Sequence, residues 1–428
     1  MKRLIAIPLV LGIVIVILAG VLWLRKLAPE EHTFRLSTGA VMTFRQATFG
    51  RNHVVAAGPR WHRFVPAFLA RWLKVSKGAS SFTTASPSVV LWFEKTWTPG
   101  GGPGYACSIV HSDGSETPFD DNHFFANYSP TNSLEGTPSA FPQREKSLRI
   151  RFYERIAFND VVPLGEFTIS NPRVSRTPPP NAPPLPQTAR DRNLQVSLVS
   201  LEAGVRRGLW QKANVLNQWT RAQFHVLEDA VPSDKWLVQQ MIAVDSTGNR
   251  LVSRSWSSST SGTLERFECQ PVLWPSEAYK LRFEFSRKPE AAFETSELWS
   301  IRDVAVPADG EFTLVNTQRN IGNYAIRFHG LTAKDGRPPW DRMMSGDMAL
   351  GFSVTPPLDG YRFTLISVTD DRARKVELSG SGSSSSNWGF GLRVKDAIHS
   401  VNVTVALHQS RFVEFQARPV KWDGKFSP

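Results

Sequence analysis

The chain has 428 residues, of which 41% are hydrophobic, with 27 Phe, 14 Trp, 6 Tyr, only two Cys and a formal net charge of +12. This length exceeds one ordinary domain and fits two or three domains of about 100–200 residues each. The apolar content excludes a disordered chain, and the two cysteines exclude a disulfide framework or a cysteine-rich zinc site.

An uncharged apolar segment occupies residues 4–24. As a helix it would be about 31 Å long, which matches a bilayer core of about 30 Å. We predict a transmembrane signal-anchor at residues 1–27, because no cleavage site precedes Arg25; a cleaved signal peptide is the alternative. The basic flanks nearly balance, and long domains translocate regardless of charge. We therefore expect a single-pass cell-membrane protein whose body lies outside the cytoplasm.

The positive charge is concentrated beside this segment. Residues 1–80 contain twelve Lys and Arg but only Glu30 and Glu31 as acids, a net of +10, which leaves +2 for the rest of the chain. Because the remainder is almost neutral, nucleic acid is not the expected partner. The expected partner is anionic lipid near residues 25–80.

Period-2 alternation of apolar and polar residues recurs between turn residues and predicts an all-β fold. One pattern is also repeated: an apolar strand, an aspartate turn and then an aromatic-proline pair. The aspartate and the aromatic residue are Asp113 and Phe141 in the first copy and Asp245 and Trp274 in the second, 28 and 29 residues apart. A third copy has its turn at Asp370 and lacks the aromatic-proline pair.

These copies predict three tandem two-sheet sandwiches, at residues 34–172, 190–307 and 311–420. Each copy is expected to close on its own strand ending at a proline, at residues 167–172, 299–307 and 415–419. About seven short strands per 100 residues resembles the immunoglobulin-like or fibronectin-like architecture. The cysteine-tryptophan-cysteine core of antibody domains is absent, so the resemblance is to the architecture alone.

The first unit carries a basic amphipathic insertion at residues 59–77, which is predicted to contain a short helix beginning near Pro66. One reading places it along a membrane surface; the other packs its apolar stripe on its own sandwich. The predicted membrane-surface residues are Trp61, Arg63, Phe68, Arg71, Trp72, Lys74 and Lys77.

Residues 173–189 form a Pro-rich linker, predicted to be a semi-rigid polyproline II spacer, with a partner-docking segment as the alternative. The serine-rich stretches at residues 255–261 and 379–387 are predicted to be mobile connections between strands.

The densest set of potential metal ligands lies at residues 111–123. Two imidazoles and nearby carboxylates could bind a divalent ion, but a hairpin turn and a solvated acidic loop explain the same residues. A metal-dependent hydrolase is therefore a weak alternative, and we expect no cofactor and no catalytic residues. Cys107 and Cys269 are interpreted as buried small hydrophobes. The weak metal candidates are His111, Asp113, Asp121 and His123.

The anchor and the repeats are similar to those of bacterial single-span membrane-anchored proteins with tandem sandwich modules. That resemblance implies no catalytic residues. We expect a non-enzymatic interaction or scaffold protein that presents its sandwiches next to the membrane to another protein or an envelope glycan. The alternative is a glycan-binding or glycan-processing envelope protein that uses Trp-rich loops around Trp210, Trp256 and Trp340.

Overall fold

The computed structural model is all-β, with several antiparallel sheets. It describes residues 32–421 except 57–78, 97–103, 112–115, 120–123, 130–131, 140, 158–159, 207–216, 255–256, 262–263, 270–272, 340–346, 385 and 395–397. Within these residues no helix is long and apolar enough to cross a membrane. The predicted anchor at 1–27 and the predicted helical insertion at 59–77 lie outside them.

The strands fall into three groups along the chain. The first group is β1 (Thr33–Arg35), β2 (Val41–Ala56), β3 (Ala79–Thr96), β4 (Gly104–Val110), β5 (Glu116–Pro118), β6 (Phe124–Ser129), β7 (Asn132–Ser139), β8 (Ser147–Ala157) and β9 (Asp160–Ser170). The second is β10 (Gln187–Asp191), β11 (Leu194–Arg206), β12 (Asn217–Glu228), β13 (Val231–Pro232), β14 (Trp236–Asp245), β15 (Arg250–Arg254), β16 (Ser257–Ser261), β17 (Leu264–Cys269) and β18 (Tyr279–Arg287).

A 3₁₀ turn, Thr295–Glu297, precedes the third group. This group is β19 (Leu298–Ala305), β20 (Phe312–Ile321), β21 (Tyr324–Ala333), β22 (Met348–Thr355), β23 (Tyr361–Asp370), β24 (Glu377–Ser383), β25 (Asn387–Arg393), β26 (Ser400–Gln409), β27 (Arg411–Ala417) and β28 (Val420–Lys421).

Each sandwich has one sheet in which five strands follow the same order; in the second sandwich β13 and β28 add to this sheet by pairing with β12 and β11. Sheet A of the first sandwich runs β1-β2-β3-β7-β6, sheet C of the second β10-β11-β12-β17-β16, and sheet F of the third β20-β21-β22-β25-β24. The opposing sheets are B (β5-β4-β8-β9), D (β15-β14-β18-β27) and E (β19-β26-β23). Sheets A and B enclose one core, C and D a second, and E and F a third.

Alternation along the strands creates these cores because successive side chains point to opposite faces. In β8, Leu148, Ile150 and Phe152 are fully buried, whereas Arg149 and Arg151 lie on the other face of the strand. The second core is built in the same way. Leu281 and Phe283 of β18 are buried there.

The closing strands of the second and third sandwiches are exchanged. β19, which follows the second group along the chain, pairs with β26 of the third sandwich and places Trp299 and Ile301 in the third core. β27, near the end of the third group, pairs with β18 and places Val413 and Phe415 in the second core. The expectation that residues 299–307 close the second unit and 415–419 the third is therefore wrong.

The exchange runs through one nearly continuous strand. Only Ser410 separates β26, in sheet E, from β27, in sheet D. Ser410 is 2% exposed and donates from its hydroxyl to Glu284 Oε1 on β18 at 2.7 Å. Arg362 on β23 donates two hydrogen bonds to the same carboxylate, at 2.7 and 2.6 Å. The second and third sandwiches are therefore joined by exchanged strands and by the hydrogen bonds that Ser410 and Arg362 donate to Glu284.

The serine-rich stretches contain strands in place of the predicted mobile connections. Residues 257–261 form β16 and residues 377–383 form β24, each the last strand along its sheet. In β24, Gly380 and Gly382 lie opposite Gly391 and Gly389 of β25. Small side chains let these edge strands join the ladder despite their low intrinsic strand propensity.

Candidate functional site

The seven predicted membrane-surface residues, from Trp61 to Lys77, lie outside the described residues, as do Trp210, Trp256 and Trp340. Both the lipid reading of the insertion and the glycan alternative therefore stay predictions. Other tryptophans are core residues of the sandwiches, including Trp92, which is 1% exposed.

Among the weak metal candidates, His111 is described, and Asp113, Asp121 and His123 are not. His111 Nε2 lies 2.7 Å from Thr117 Oγ1, and its Nδ1 lies 3.7 Å from Glu145 Oε1. The described part of the chain contains no group of three or more His, Cys, Asp or Glu side chains that could bind a metal ion. His111 and these two neighbours belong instead to a junction between sandwiches.

The two cysteines are free and buried, in agreement with their interpretation as small hydrophobes. Burial raises the pKa of the Cys269 thiol to about 12 and that of Cys107 further still. Both thiols are therefore protonated and unsuited to nucleophilic chemistry at neutral pH.

The junction between the first and second sandwiches is built from repeated turns. Asp245 Oδ1 accepts hydrogen bonds from the backbone N–H groups of Thr247 (2.8 Å) and Asn249 (3.0 Å). Asp370 makes the equivalent contacts with Arg372 (2.9 Å) and Arg374 (2.8 Å) in the third sandwich. The interpretation of these aspartates as turn residues is confirmed.

In the second sandwich the aspartate turn also contacts the first sandwich. Asn249 is fully buried; its Nδ2 donates to the carbonyl of Phe141 at 2.9 Å, and its Oδ1 accepts from Gln143 Nε2 at 3.1 Å. Phe141 belongs to the aromatic-proline pair of the first repeat. One repeat's aspartate turn therefore docks on the other repeat's aromatic-proline turn.

An arginine completes this junction. Arg144 donates to Glu277 Oε2 of the second sandwich in an ion pair, to Ser246 Oγ at 2.6 Å, and to the carbonyl of Thr177 in the linker at 2.7 Å. Burial raises the pKa of the Glu277 carboxyl, and the neighbouring guanidinium opposes that shift.

A second chain of polar contacts crosses the same junction. Trp274 of the second core is 2% exposed, and its indole N–H donates to Thr117 Oγ1 of the first sandwich at 3.1 Å. Thr117 in turn contacts His111, which faces Glu145. The tryptophan of the repeat therefore both fills its own core and holds the neighbouring sandwich.

Next to this junction, sheet B contains a buried carboxylate. Glu116 on β5 is 6% exposed and accepts hydrogen bonds from Ser108, Tyr153 and Arg151. Arg151 also donates to Glu166 Oε1 at 2.6 Å. Burial, followed by the bond to Glu116, raises the pKa of Tyr153 to about 12. Because each carboxylate oxygen of Glu116 is engaged, this cluster is a structural tie between strands.

Sequence reasoning missed Gln143, Arg144, Thr117 and Ser246. All four are polar residues in turns or on a short edge strand, a class that is normally solvated. The one signal that could have found two of them is position, since Gln143 and Arg144 directly follow the aromatic-proline pair of a repeat.

Searches with protein-family models, curated proteins and solved structures found no significant match to this chain.

Proposed function

We propose that this protein is a non-enzymatic scaffold, anchored in a cell membrane by residues 1–27, that holds three immunoglobulin-like sandwiches in a fixed arrangement outside the cytoplasm. Its partner would be a protein or an envelope glycan that contacts strand edges and loops.

The observation that supports this proposal is that both junctions between sandwiches consist of direct contacts. The first junction buries Asn249 and Glu277 in direct contacts between the first two sandwiches. At the second junction, β27 closes the second sandwich and β19 closes the third. The linker is also held at two internal points, by Arg144 at the carbonyl of Thr177 and by Gln416 at the carbonyl of Asn181, at 3.3 Å.

A distance measurement tests the fixed arrangement. Spin labels at Ser170 and Ser381, which are exposed strand residues of the first and third sandwiches, are introduced with Cys107 and Cys269 changed to Ala. In the full chain in lipid vesicles we expect one narrow distance distribution. A distribution spread over tens of ångströms would show freely hinged sandwiches and contradict the scaffold.

The membrane-surface role of the insertion is tested separately by flotation. We expect a fragment of residues 27–428 to float with anionic liposomes and to lose flotation when Arg63, Arg71, Lys74 and Lys77 are changed to Gln. Each basic residue near an anionic surface contributes about 1 kcal/mol, so losing four removes most of the attraction.

The matched control removes four exposed basic residues from the third sandwich: Arg302, Arg372, Lys375 and Arg393. This control should float like the parent fragment. Equal loss in both variants would indicate a general charge effect, and no flotation of the parent would remove the lipid-surface role while leaving the scaffold proposal to the distance measurement.

A further inference from the structure

Several cationic and polar side chains lie near the point where β26 of the third sandwich continues into β27 of the second, which we call the crossing. Arg411 is the first residue of β27, and His408 lies three residues earlier on β26, on the other side of Ser410. Trp236 of β14 and Arg287 of β18 are directly paired across sheet D. These elements bring residues of both sandwiches to one place.

Ring contacts locate these side chains relative to one another. The guanidinium carbon of Arg411 lies 5.8 Å from the Trp236 ring centroid. On the other side, the guanidinium carbon of Arg287 lies 4.8 Å from the Phe293 ring centroid, and Phe293 contacts His408 with ring centroids 5.2 Å apart. Phe293 therefore contacts both Arg287 of the second sandwich and His408 of the third.

Four buried nitrogen atoms at this crossing have no hydrogen-bond partner among the residues that the structure describes: Trp236 Nε1, Arg287 Nε, Arg411 Nε and His408 Nδ1. Trp236 is 2% exposed and His408 is fully buried. Buried polar groups are nearly always hydrogen-bonded, so each exception requires an explanation. All four belong to strands that meet at this crossing, and Arg287 and Arg411 both lie close enough to His408 to act on its charge. This suggests a shared cause.

The nearby carboxylates are already engaged. Glu297 accepts from Arg287 Nη2 at 2.6 Å, Glu284 pairs with Arg362, and Asp191 accepts from the backbone N–H of Phe412 at 2.8 Å. Arg411 has no carboxylate within ion-pair distance in the described part of the chain. Arg411 is therefore a guanidinium without an ion-pair partner in that part of the chain, although Asp191 and Glu297 lie close enough to attract its charge.

The electrostatic environment disfavours further positive charge. Burial, followed by Arg287, lowers the pKa of His408 to about 4. Burial and Arg192 likewise lower the pKa of Arg411. His408 is therefore neutral at physiological pH. Its Nε2 lies 3.2 Å from Thr364 Oγ1, and in the tautomer where Thr364 donates to Nε2, His408 Nδ1 is a donor.

We propose that Arg287, Arg411 and the indole N–H of Trp236 bind a small oxyanion, a phosphate or a carboxylate group, at the crossing of the second and third sandwiches. His408 adds a fourth donor from the third sandwich. Arg287 offers its Nε, because its Nη1 already donates to the carbonyl of Ala292 at 2.8 Å and its Nη2 to Glu297. The guanidinium fork of Arg411 suits either group, because both present oxygens at its spacing. A bound oxyanion would join residues of both sandwiches and stabilise them together. This site is separate from the scaffold proposal, which rests on other contacts.

The test uses the full chain in detergent at constant ionic strength, with inorganic phosphate, sodium acetate and sodium chloride compared by thermal unfolding and by calorimetric titration. We expect a saturable rise in Tm and measurable heat with phosphate or acetate and not with chloride. A preference for phosphate would identify a tetrahedral ligand, and a preference for acetate a carboxylate; either supports the site. No saturable effect of either ion would overturn it.

Two variants localise the effect. Arg411→Gln should abolish saturable binding, whereas the control Arg302→Gln, at an exposed position of β19, should bind like the parent. Trp236→Phe preserves the aromatic ring and removes only the N–H donor. It should weaken binding about tenfold, as expected for the loss of one hydrogen bond to a charged group. If Arg411→Gln fails to fold, Trp236→Phe decides alone: unchanged affinity would refute the site.

Discussion

Changing Phe415 to Ala is expected to unfold the second sandwich, although this residue follows most strands of the third sandwich along the chain. Phe415 is 4% exposed in the second core, and its ring centroid lies 6.2 Å from that of Phe283 and 6.5 Å from that of Phe224. Truncation of a buried Phe costs about 3–5 kcal/mol. Amide hydrogen exchange should show lost protection in β14 and β18 and retained protection in β22 and β23.

The reciprocal variant serves as the control. Trp299→Ala, just after the second group of strands, should deprotect β23 and β26, because Trp299 lies in the third core. Leu365→Ala, on β23 of the third sandwich, should affect the third sandwich alone. If Phe415→Ala deprotected the third sandwich and spared the second, the exchange of closing strands would be refuted.

Changing Arg144 to Ala is expected to loosen the junction between the first and second sandwiches. The change leaves Glu277, which is 3% exposed, as a buried carboxylate without its guanidinium. Breaking a buried pair costs about 3–5 kcal/mol, and the cost here should fall toward the lower end because one fifth of the Arg144 side chain is exposed. The Ser170–Ser381 spin-label distribution should broaden.

Arg149→Ala is the matched control, since Arg149 belongs to the same sandwich and its side chain is 47% exposed. The distribution should stay narrow in this variant. A narrow distribution for Arg144→Ala as well would show that the ion pair does not hold the junction.

In the Arg144→Ala variant, the stability of the junction between the first and second sandwiches should also depend on pH. Burial already raises the pKa of Glu277, and the lost guanidinium was opposing that shift. A folded-state pKa above the unfolded value gives stability that is present at low pH and lost as pH rises through the folded pKa. The variant's distribution should therefore narrow as pH falls from about 7 toward the ordinary range of a glutamate carboxyl, roughly 4.3, and adding Glu277→Gln should remove this dependence.

The sequence is sufficient for the all-β class and the repeated turns because alternation and turn chemistry are local. It does not assign the closing strands. Residues 298–305 and 411–417 carry the same alternation of apolar and polar residues, and either strand could cover the open edge of either sandwich. Long-range packing decides which edge each strand joins, and the local periodicity of a strand carries no information about that packing.

The serine-rich edges differ from their prediction for a related reason. Ser and Gly have low strand propensity, but β24 pairs along β25 with Gly380 and Gly382 facing glycines. Tertiary pairing overrides propensity there. The polar junction could not be predicted from the sequence. Arg144 lies in a turn of polar residues that would normally be solvated, and it pairs with the buried Glu277 only because the second sandwich packs against this turn.

The exchange of closing strands also sets the order in which a growing chain can finish folding. As the chain leaves the ribosome, β10–β18 emerge with the edge of β18 uncovered, because its partner β27 is separated from it by the whole of β19–β26. Pairing across so many residues raises contact order and delays closure. The second sandwich, begun before the third, is the last to be completed, and until then it presents an unpaired strand edge of the kind that favours aggregation.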